Sequence, residues 1–402
     1  MIALYHSHPD ATRFTANVLS CRPSAAGDGL WEVILDNTAF YPTGGGQLCD
    51  AGTLAGCPVE EVISLGDGAP VVHLVRCAEP LSGAVEGCID AQRRLDHMQQ
   101  HSGQHLLSHV LYERFQAYSL GLHIGAADSY VDLVDDGSIH MTRALANELE
   151  AEVNAWIARD EAVRCFFPTP QQLAALPLRK APDAHENLRI VLIGSQEAVA
   201  CCGTHVKSTG QVQAVRILSW QQSHGNLRIF FVAGLRALAY AKARIDQADQ
   251  GARLFSCNVC DLSASIERLQ AANAALSHEL AKARKEVTLL RLTALQPESA
   301  PQGSLYLAAL DGAAEPQLKE GVSFLTKRDS RAICFLCAPV EGGYAVALGV
   351  GADSPLHAGD ALKRILAELD GKGGGRKDSA FGRCARMDLN AVRLVLCAFT
   401  AA

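Results

Sequence analysis

Residues 96–111, DHMQQHSGQHLLSHVL, carry histidines at 97, 101, 105 and 109, interleaved with Leu106, Leu107, Val110 and Leu111. This is the period of an amphipathic α-helix, in which residues four apart sit about 40° from eclipsed and about 6 Å apart along the axis. Any adjacent pair of these histidines can grip one ion, whereas His97 and His109 stand about 18 Å apart and cannot share it. Taken alone, the run fits a polar helix face as well as it fits a metal site. Its helical period also marks a change of architecture, because what precedes it is strand-like.

Residues 1–90 read as short strands separated by turns. LWEVILD (30–36) alternates, PVVHLVRC (70–77) is a buried strand, and PTGGGQ (42–47) and LGDGAP (65–70) are turn chemistry. The spacing predicts a small β-barrel domain over residues 1–92. After the histidine helix, SYVDLV (129–134) reads as a strand and MTRALANELEAEVNAWIARD (141–160) as a long helix. TPQQL (169–173) reads as a short helix capped by Thr169 with Pro170 first. NLRIVLI (187–193), QVQAVRILSW (211–220) and LRIFFVA (227–233) complete a two-layer domain over residues 93–235, helices on an antiparallel sheet.

The next segment, residues 236–298, begins with the helix LRALAYAKARIDQADQGARLF (235–255) and continues, after FSCNVCD (255–261), in heptads. Ile266, Leu280 and Val287 share one seam position with Asn273, and Leu269, Leu276, Ala283 and Leu290 fill the other. The pattern predicts an antiparallel helical hairpin or an intermolecular coiled coil, with a buried Asn273 fixing register and a homodimer through this segment and the C-terminal domain. QPESAPQGS (296–304) reads as a linker. Residues 299–402 alternate strand (AICFLCAP, YAVALGVG), helix (PLHAGDALKRILAEL), a glycine-rich loop and a last strand (AVRLVLCAF), a small α/β domain. The fold class expected is α+β multidomain.

At 402 residues with 49% hydrophobic and 20% charged residues, the chain can bury several cores. No apolar run approaches the ~18 residues of a membrane span, and MIALYHSHPDATRF lacks an export leader, so a cytoplasmic protein without a membrane partner is expected. The 14 cysteines then read mostly as buried thiols; Cys257/Cys260 and Cys334/Cys337 have zinc-knuckle spacing but would have to meet across domains. The net charge of -7 excludes indiscriminate nucleic-acid binding. Residues 301–402 hold 12 Lys+Arg and 11 Asp+Glu, against 24 and 32 before them, and residues 363–386 hold seven against three, a local basic patch.

A distant cluster gives the histidine helix a partner. In ACCGTHV (200–206), Cys201 and His205 repeat the four-residue spacing, and Gly203 allows a tight bend. Two helix histidines with a cysteine and a histidine from a turn make a tetrahedral nitrogen and sulfur set suited to Zn²⁺, one ion per chain. Spacing leaves Cys202 open as an alternative thiol.

HSGQHLLS (101–108) and CCGTHV (201–206), preceded by TAFYPTGGGQLCDAGTL (38–54), resemble the motifs of the alanyl-tRNA synthetase editing domain and of the free-standing AlaX editing proteins, over about residues 30–235. The resemblance puts the metal ligands on His101, His105, Cys201 and His205; the family's first glycine after the cysteine is replaced by Cys202. It implies a trans-acting hydrolase that deacylates mischarged tRNA-Ala, with Ser-tRNA-Ala as chief substrate and Gly-tRNA-Ala as a second. It implies substrate contacts at Thr38, Gly45 and Gln47, and a catalytic or orienting role for His123, near the place of a synthetase glutamine. GKGGGRKDSAFGRC (371–384) resembles the glycine-rich loop of the synthetase C-terminal domain, which implies tRNA contacts at Lys372, Arg376, Lys377 and Arg383. With the barrel starting within the first residues, ATP use and tRNA charging are not expected.

The chemistry has a reason. A pocket built for alanine cannot exclude smaller glycine and rejects serine weakly, so a second, hydrolytic site must supply the missing discrimination. The rivals are a non-catalytic zinc-containing tRNA-binding protein and a small-molecule metallohydrolase, for which barrel, hairpin and basic loop would be superfluous.

Overall fold

The computed structural model describes residues 2–66, 69–135, 137–179, 188–223 and 225–399. Asp67 and Gly68, at the centre of the predicted LGDGAP turn, and Asn187 lie outside the described residues. The chain divides into two compact units, Met1–Gln250 and Gly251–Ala402.

In the first unit, six strands, β1 (Arg13–Pro23), β2 (Leu30–Leu35), β3 (Gly52–Leu54), β4 (Cys57–Ser64), β5 (Val71–Arg76) and β6 (Ala84–Ile89), close into an antiparallel barrel in the order β1-β2-β5-β4-β3-β6. Alternate residues point inward, as Phe14 and Ala16 do on β1, and fill the interior with Val33, Leu35, Val62, Val75 and Val85. Closure leaves the barrel no free edge. Cys57 and Cys77 form a disulfide between β4 and the end of β5, a departure from the expectation of free thiols.

Helix α1 (Ala91–Phe115) follows directly, its first turn capped by Asp90, which accepts from the amides of Gln92 and Arg93. Sequence periodicity gives α1 one polar face, yet residues 97–108 are buried without a break. The polar face is enclosed too, and its buried glutamines Gln99 and Gln100 are satisfied by backbone. Gln99 donates to the Gln211 carbonyl, and Gln100 both donates to and accepts from the Ala233 backbone.

The core of this unit lies between α1, α2 (Arg143–Ile157) and an antiparallel sheet built from β7 (Ser119–Ile124) and β8 (Ser129–Val134) with two later strands. A small sheet β9 (Val163–Phe166), β10 (Ile190–Ile193), β11 (Glu197–Ala200) presents the loop that carries Cys201 and His205. Strands β12 (Val215–Ser223) and β13 (Asn226–Ala233) complete the first sheet in the order β12-β13-β8-β7, and α3 (Gly234–Leu254) follows. The TPQQL helix spans Pro170–Ala174 with Thr169 in a capping box, as its sequence predicts.

One buried ion pair fastens the barrel to α1. Arg94 and Asp50 are 1% and 0% exposed, and the guanidinium also donates to the carbonyls of Pro9 and Ala39, while Asp50 accepts from the Tyr41 amide. A charge buried so completely is tolerable only with its partner and these hydrogen bonds in place.

The second unit begins with α4 (Leu262–Ala294), which carries the heptads. Residues 266–287 are exposed throughout, so among the described residues nothing covers the seam and Asn273, expected to be buried, is exposed. The predicted linker is instead the start of a sheet: β14 (Glu298–Ala300) pairs with β15 (Gly303–Ala309). Helix α5 (Glu315–Arg328), β16 (Ala332–Val340), β17 (Gly343–Val350) and α6 (Ala358–Glu368) follow. The predicted glycine loop is a strand, β18 (Gly371–Gly375), paired with β19 (Ser379–Cys384) at the end of the order β14-β15-β16-β17-β19-β18. Close packing accounts for three of the glycines: a Cβ would come within 2.6 Å of Leu366 at Gly371, 2.5 Å of the Phe381 carbonyl at Gly373 and 2.2 Å of the Ser379 carbonyl at Gly375. AVRLVLCAF, expected as a strand, is helix α7 (Leu389–Ala398): Asp388 caps it through the amides of Asn390 and Ala391, and Val392 and Leu396 bury one helical face.

Asp50→Ala leaves the Arg94 guanidinium buried without its counter-ion and should destabilise the first unit by about 3–5 kcal/mol, read as a lowered urea midpoint. Glu86→Ala, which removes an exposed pair with Arg13, should hardly move that midpoint. Equal, small shifts for both would contradict the role given to Arg94.

Candidate metal centre and its surroundings

The structure brings His101, His105, Cys201 and His205 together, one donor atom from each lying within 4.8 Å of all the others. Cys201 Sγ stands 3.3 Å from His101 Nε2 and 3.4 Å from His205 Nε2. A tetrahedral ion with metal–sulfur and metal–nitrogen bonds of about 2.3 and 2.0–2.1 Å imposes an S···N edge of about 3.5 Å. The two edges from Cys201 are therefore already close to ligand spacing, and His105 completes the group within 4.8 Å. His105 supplies an independent sign, since both of its ring nitrogens are buried and lack any partner. An orphaned buried imidazole calls for a ligand of its own. Among the described residues this is the one cluster of metal-ligating type found.

Neighbours fix two of the three rings. Gln47 Oε1 accepts from His101 Nδ1 at 2.9 Å, leaving Nε2 as the lone pair facing the cluster; the same amide binds Thr204 through Oγ1 and the backbone amide. His205 Nδ1 lies 3.1 Å from Ser102 Oγ, and that oxygen also accepts from the Val206 amide. The loop itself is held by Arg189, whose guanidinium donates to the carbonyls of Cys201 and Gly203 at 2.8 Å each. Residue 203 must be glycine, because a Cβ there would stand 2.1 Å from His101 Cε1. Cys202, the alternative thiol that spacing left open, is exposed and outside the cluster.

The electrostatics favour binding a cation. Burial, reinforced by the Arg189 charge, lowers the pKa of His101 to about 3 and holds those of His105 and His205 well below the usual histidine range, so all three are neutral and able to ligate. Burial pushes the Cys201 thiol up to about 12, so without a cation to displace its proton it remains a thiol. A cavity of about 330 Å³ lined by His205, Met98, Gln99, Lys207 and Gln211 lies beside the cluster.

The remaining histidines of α1 are elsewhere. His97 is buried with its Nδ1 unpartnered, and His109 pairs with the fully buried Glu197, which Arg179 also holds. Thr38 is 0% exposed, its Oγ1 2.8 Å from His73 Nε2 and accepting from the Phe40 amide. His73 Nδ1 lies against the Val33 carbonyl, which can only accept, so Nε2 is the acceptor and the Thr38 proton points at His73. Gly45 and Gly46, at φ 56° and 80°, form the tip of a two-residue turn closed by both hydrogen bonds between Gly44 and Gln47. His123, on β7, is exposed and stacks on Tyr130.

In the second unit Lys372, Arg376, Lys377 and Arg383 are exposed, Arg383 paired with Glu315. They line two cavities of about 540 and 440 Å³ on either side of Phe381, and Lys319 lines both. Sequence reasoning missed His73, Ser102 and Arg189. Of these, His73 left a legible trace, a polar residue inside the apolar run PVVHLVRC.

Residues 188–230 match the family described as the threonyl and alanyl tRNA synthetase second additional domain. The alanyl-tRNA editing protein Aarsd1 of Mus musculus is 29% identical over 403 residues, 95% of this chain and 93% of its own. The alanyl-tRNA editing protein AlaX-L of Pyrococcus horikoshii is 28% identical over 391 residues, 94% of each chain. An alanine–tRNA ligase of Thermofilum pendens is 29% identical over 404 residues, which are 94% of this chain but 42% of the ligase. The chain is therefore a relative of the alanyl-tRNA editing proteins, matched along nearly its whole length, and of a part of the alanine–tRNA ligases.

Proposed function

We propose that this protein is a trans-acting, cytoplasmic hydrolase that deacylates mischarged tRNA-Ala, chiefly Ser-tRNA-Ala and secondarily Gly-tRNA-Ala, with one Zn²⁺ held by His101, His105, Cys201 and His205. The observation that carries the reading is the preformed set of three neutral imidazoles and one thiol beside a cavity, in a chain whose relatives are named as alanyl-tRNA editing proteins. When bound there, Zn²⁺ supplies Lewis acidity and an anchor for the ester carbonyl or the amino acid's own amine and hydroxyl. Gln47 and Ser102 keep the imidazole lone pairs aimed inward, and Arg189 holds the cysteine loop in register.

Serine selection falls to Thr38. With its proton committed to His73, its oxygen offers a seryl group only an acceptor, which a serine hydroxyl satisfies and an alanine methyl cannot. The division of labour follows four segments: barrel (1–92), hydrolytic domain (93–235), helices (236–298) and C-terminal domain (299–402). The basic edge of the last, at Lys372, Arg376, Lys377 and Arg383, takes the tRNA backbone. The uncovered α4 seam of Ile266, Leu269, Leu276, Leu280, Val287 and Leu290 meets the same seam of a second copy, with Asn273 setting register. The four-ligand shell favours one rival, a non-catalytic tRNA-binding protein in which zinc is structural.

The purified chain should release serine from Ser-tRNA-Ala with kcat/KM at least about tenfold above that for Ala-tRNA-Ala, and Thr38→Val should collapse the ratio. Equal hydrolysis of both esters would overturn the specificity, and no serine release at all would favour the rival. Sedimentation at micromolar concentration should show a dimer that Leu276→Asp and Leu280→Asp dissociate; a wild-type monomer would refute the seam's role.

A further inference from the structure

The outer face of the β12-β13-β8-β7 sheet carries a row of rings. Phe230 on β13, Tyr130 on β8 and His123 on β7 are cross-strand neighbours in register. Tyr130 packs edge to face with Phe230 at 5.7 Å and stacks with His123 at 5.0 Å and 25°. From the other side the guanidinium of Arg228, fixed in two directions by Asp132, lies 3.8 Å from the Tyr130 centroid. Strand order thus puts Tyr130 between Arg228 and His123, and His123 at the end of the column.

Beyond His123 the next chain in the sheet has no side chain to continue the row. The free edge of β7 is covered by the glycine turn: the Ile124 amide donates to the Gly46 carbonyl at 2.8 Å, and Gly46 lies against Leu122. Gly45 and Gly46 are explained by their positive φ. Gly44 is not, since a Cβ there would meet only Tyr41 Oη, at 4.0 Å. The fold leaves an exposed floor of bare backbone, Gly44 to Gly46, next to the strand that carries an exposed imidazole. The residue after that floor is Gln47, which holds His101 of the metal cluster.

A bare floor beside the open end of a stacking column suits a flat heteroaromatic ring. We propose that this slot takes the 3′-terminal adenine of the aminoacylated tRNA, with His123 as the stacking partner that positions the base while the ester lies at the metal. This rests on the deacylase reading above and gives His123, for which the resemblance implied a catalytic or orienting role, a stacking contact with the base. The unexplained Gly44 then has a reason, because any side chain there would intrude on the ring.

The test uses the full chain and an uncharged RNA hairpin of tRNA-Ala acceptor sequence whose terminal adenine is replaced by 2-aminopurine, a base whose fluorescence falls on stacking. Binding is followed separately through a label at the 5′ end. Wild type should quench the 2-aminopurine on binding, His123→Ala should bind without quenching, and His123→Phe should restore it. On Ser-tRNA-Ala, His123→Ala should raise KM on the order of tenfold with the smaller effect on kcat, and His123→Phe should bring KM back. Binding by wild type without quenching, or a kcat lost in His123→Ala and not recovered in His123→Phe, would overturn the stack while leaving the deacylase reading intact. Failure of the hairpin to bind at all would overturn both, and quenching by a chain that releases no serine would overturn only the deacylase.

Discussion

Arg94 sits on the second turn of the helix that carries His101 and His105, and its guanidinium closes on Asp50 in the loop that leaves the barrel. Neither charge reaches solvent, so the loop and helix can approach each other in one way only. From that fixed point the same loop, three residues earlier, sends Gln47 to His101 and Thr204, and the glycine turn just before it seals the free edge of β7. Barrel and metal helix consequently behave as one body, and the side chains that orient a metal ligand come from a different part of the sequence than the ligand itself.

The cluster is built to wait for an ion. Three imidazoles kept neutral by burial and by Arg189, and a thiol whose pKa burial raises, make a site whose fourth ligand ionises only when a cation replaces its proton. Metal binding there couples to the packing of two segments a hundred residues apart, since His101 and Cys201 meet only in the folded unit. An ion held there would tie the 201–205 loop to α1.

Much of this was legible in the chain. The four-residue repeat in α1 and its echo at Cys201 and His205 marked the two segments that meet, because helix and turn geometry are local; which histidines and which thiol came only from the family resemblance, and the structure brings together His101, His105, Cys201 and His205. What surrounds them was not. The roles of Gln47 and Arg189 depend on partners far away in sequence or on loop carbonyls with no side-chain signature. Residues 371–375 read as a loop because glycine disfavours strands, yet Gly371, Gly373 and Gly375 sit where a Cβ would crowd α6 or the paired strand. Residues 391–399 read as a strand from their apolar run, while the deciding information was the Asp388 cap one turn earlier. The heptads of α4 were plain in sequence, but the burial of Asn273 expected from them is not seen among the described residues, where the seam is exposed.

The central claim is that hydrolysis depends on the ion held by these four residues. It is tested most directly by stripping the protein of metal and following serine release from Ser-tRNA-Ala as Zn²⁺ is returned. The rate should climb with occupancy and level off at one ion per chain, and Cys201→Ala should stay inactive at every zinc concentration. A metal-free protein that hydrolyses the ester as fast as the loaded one would contradict the account.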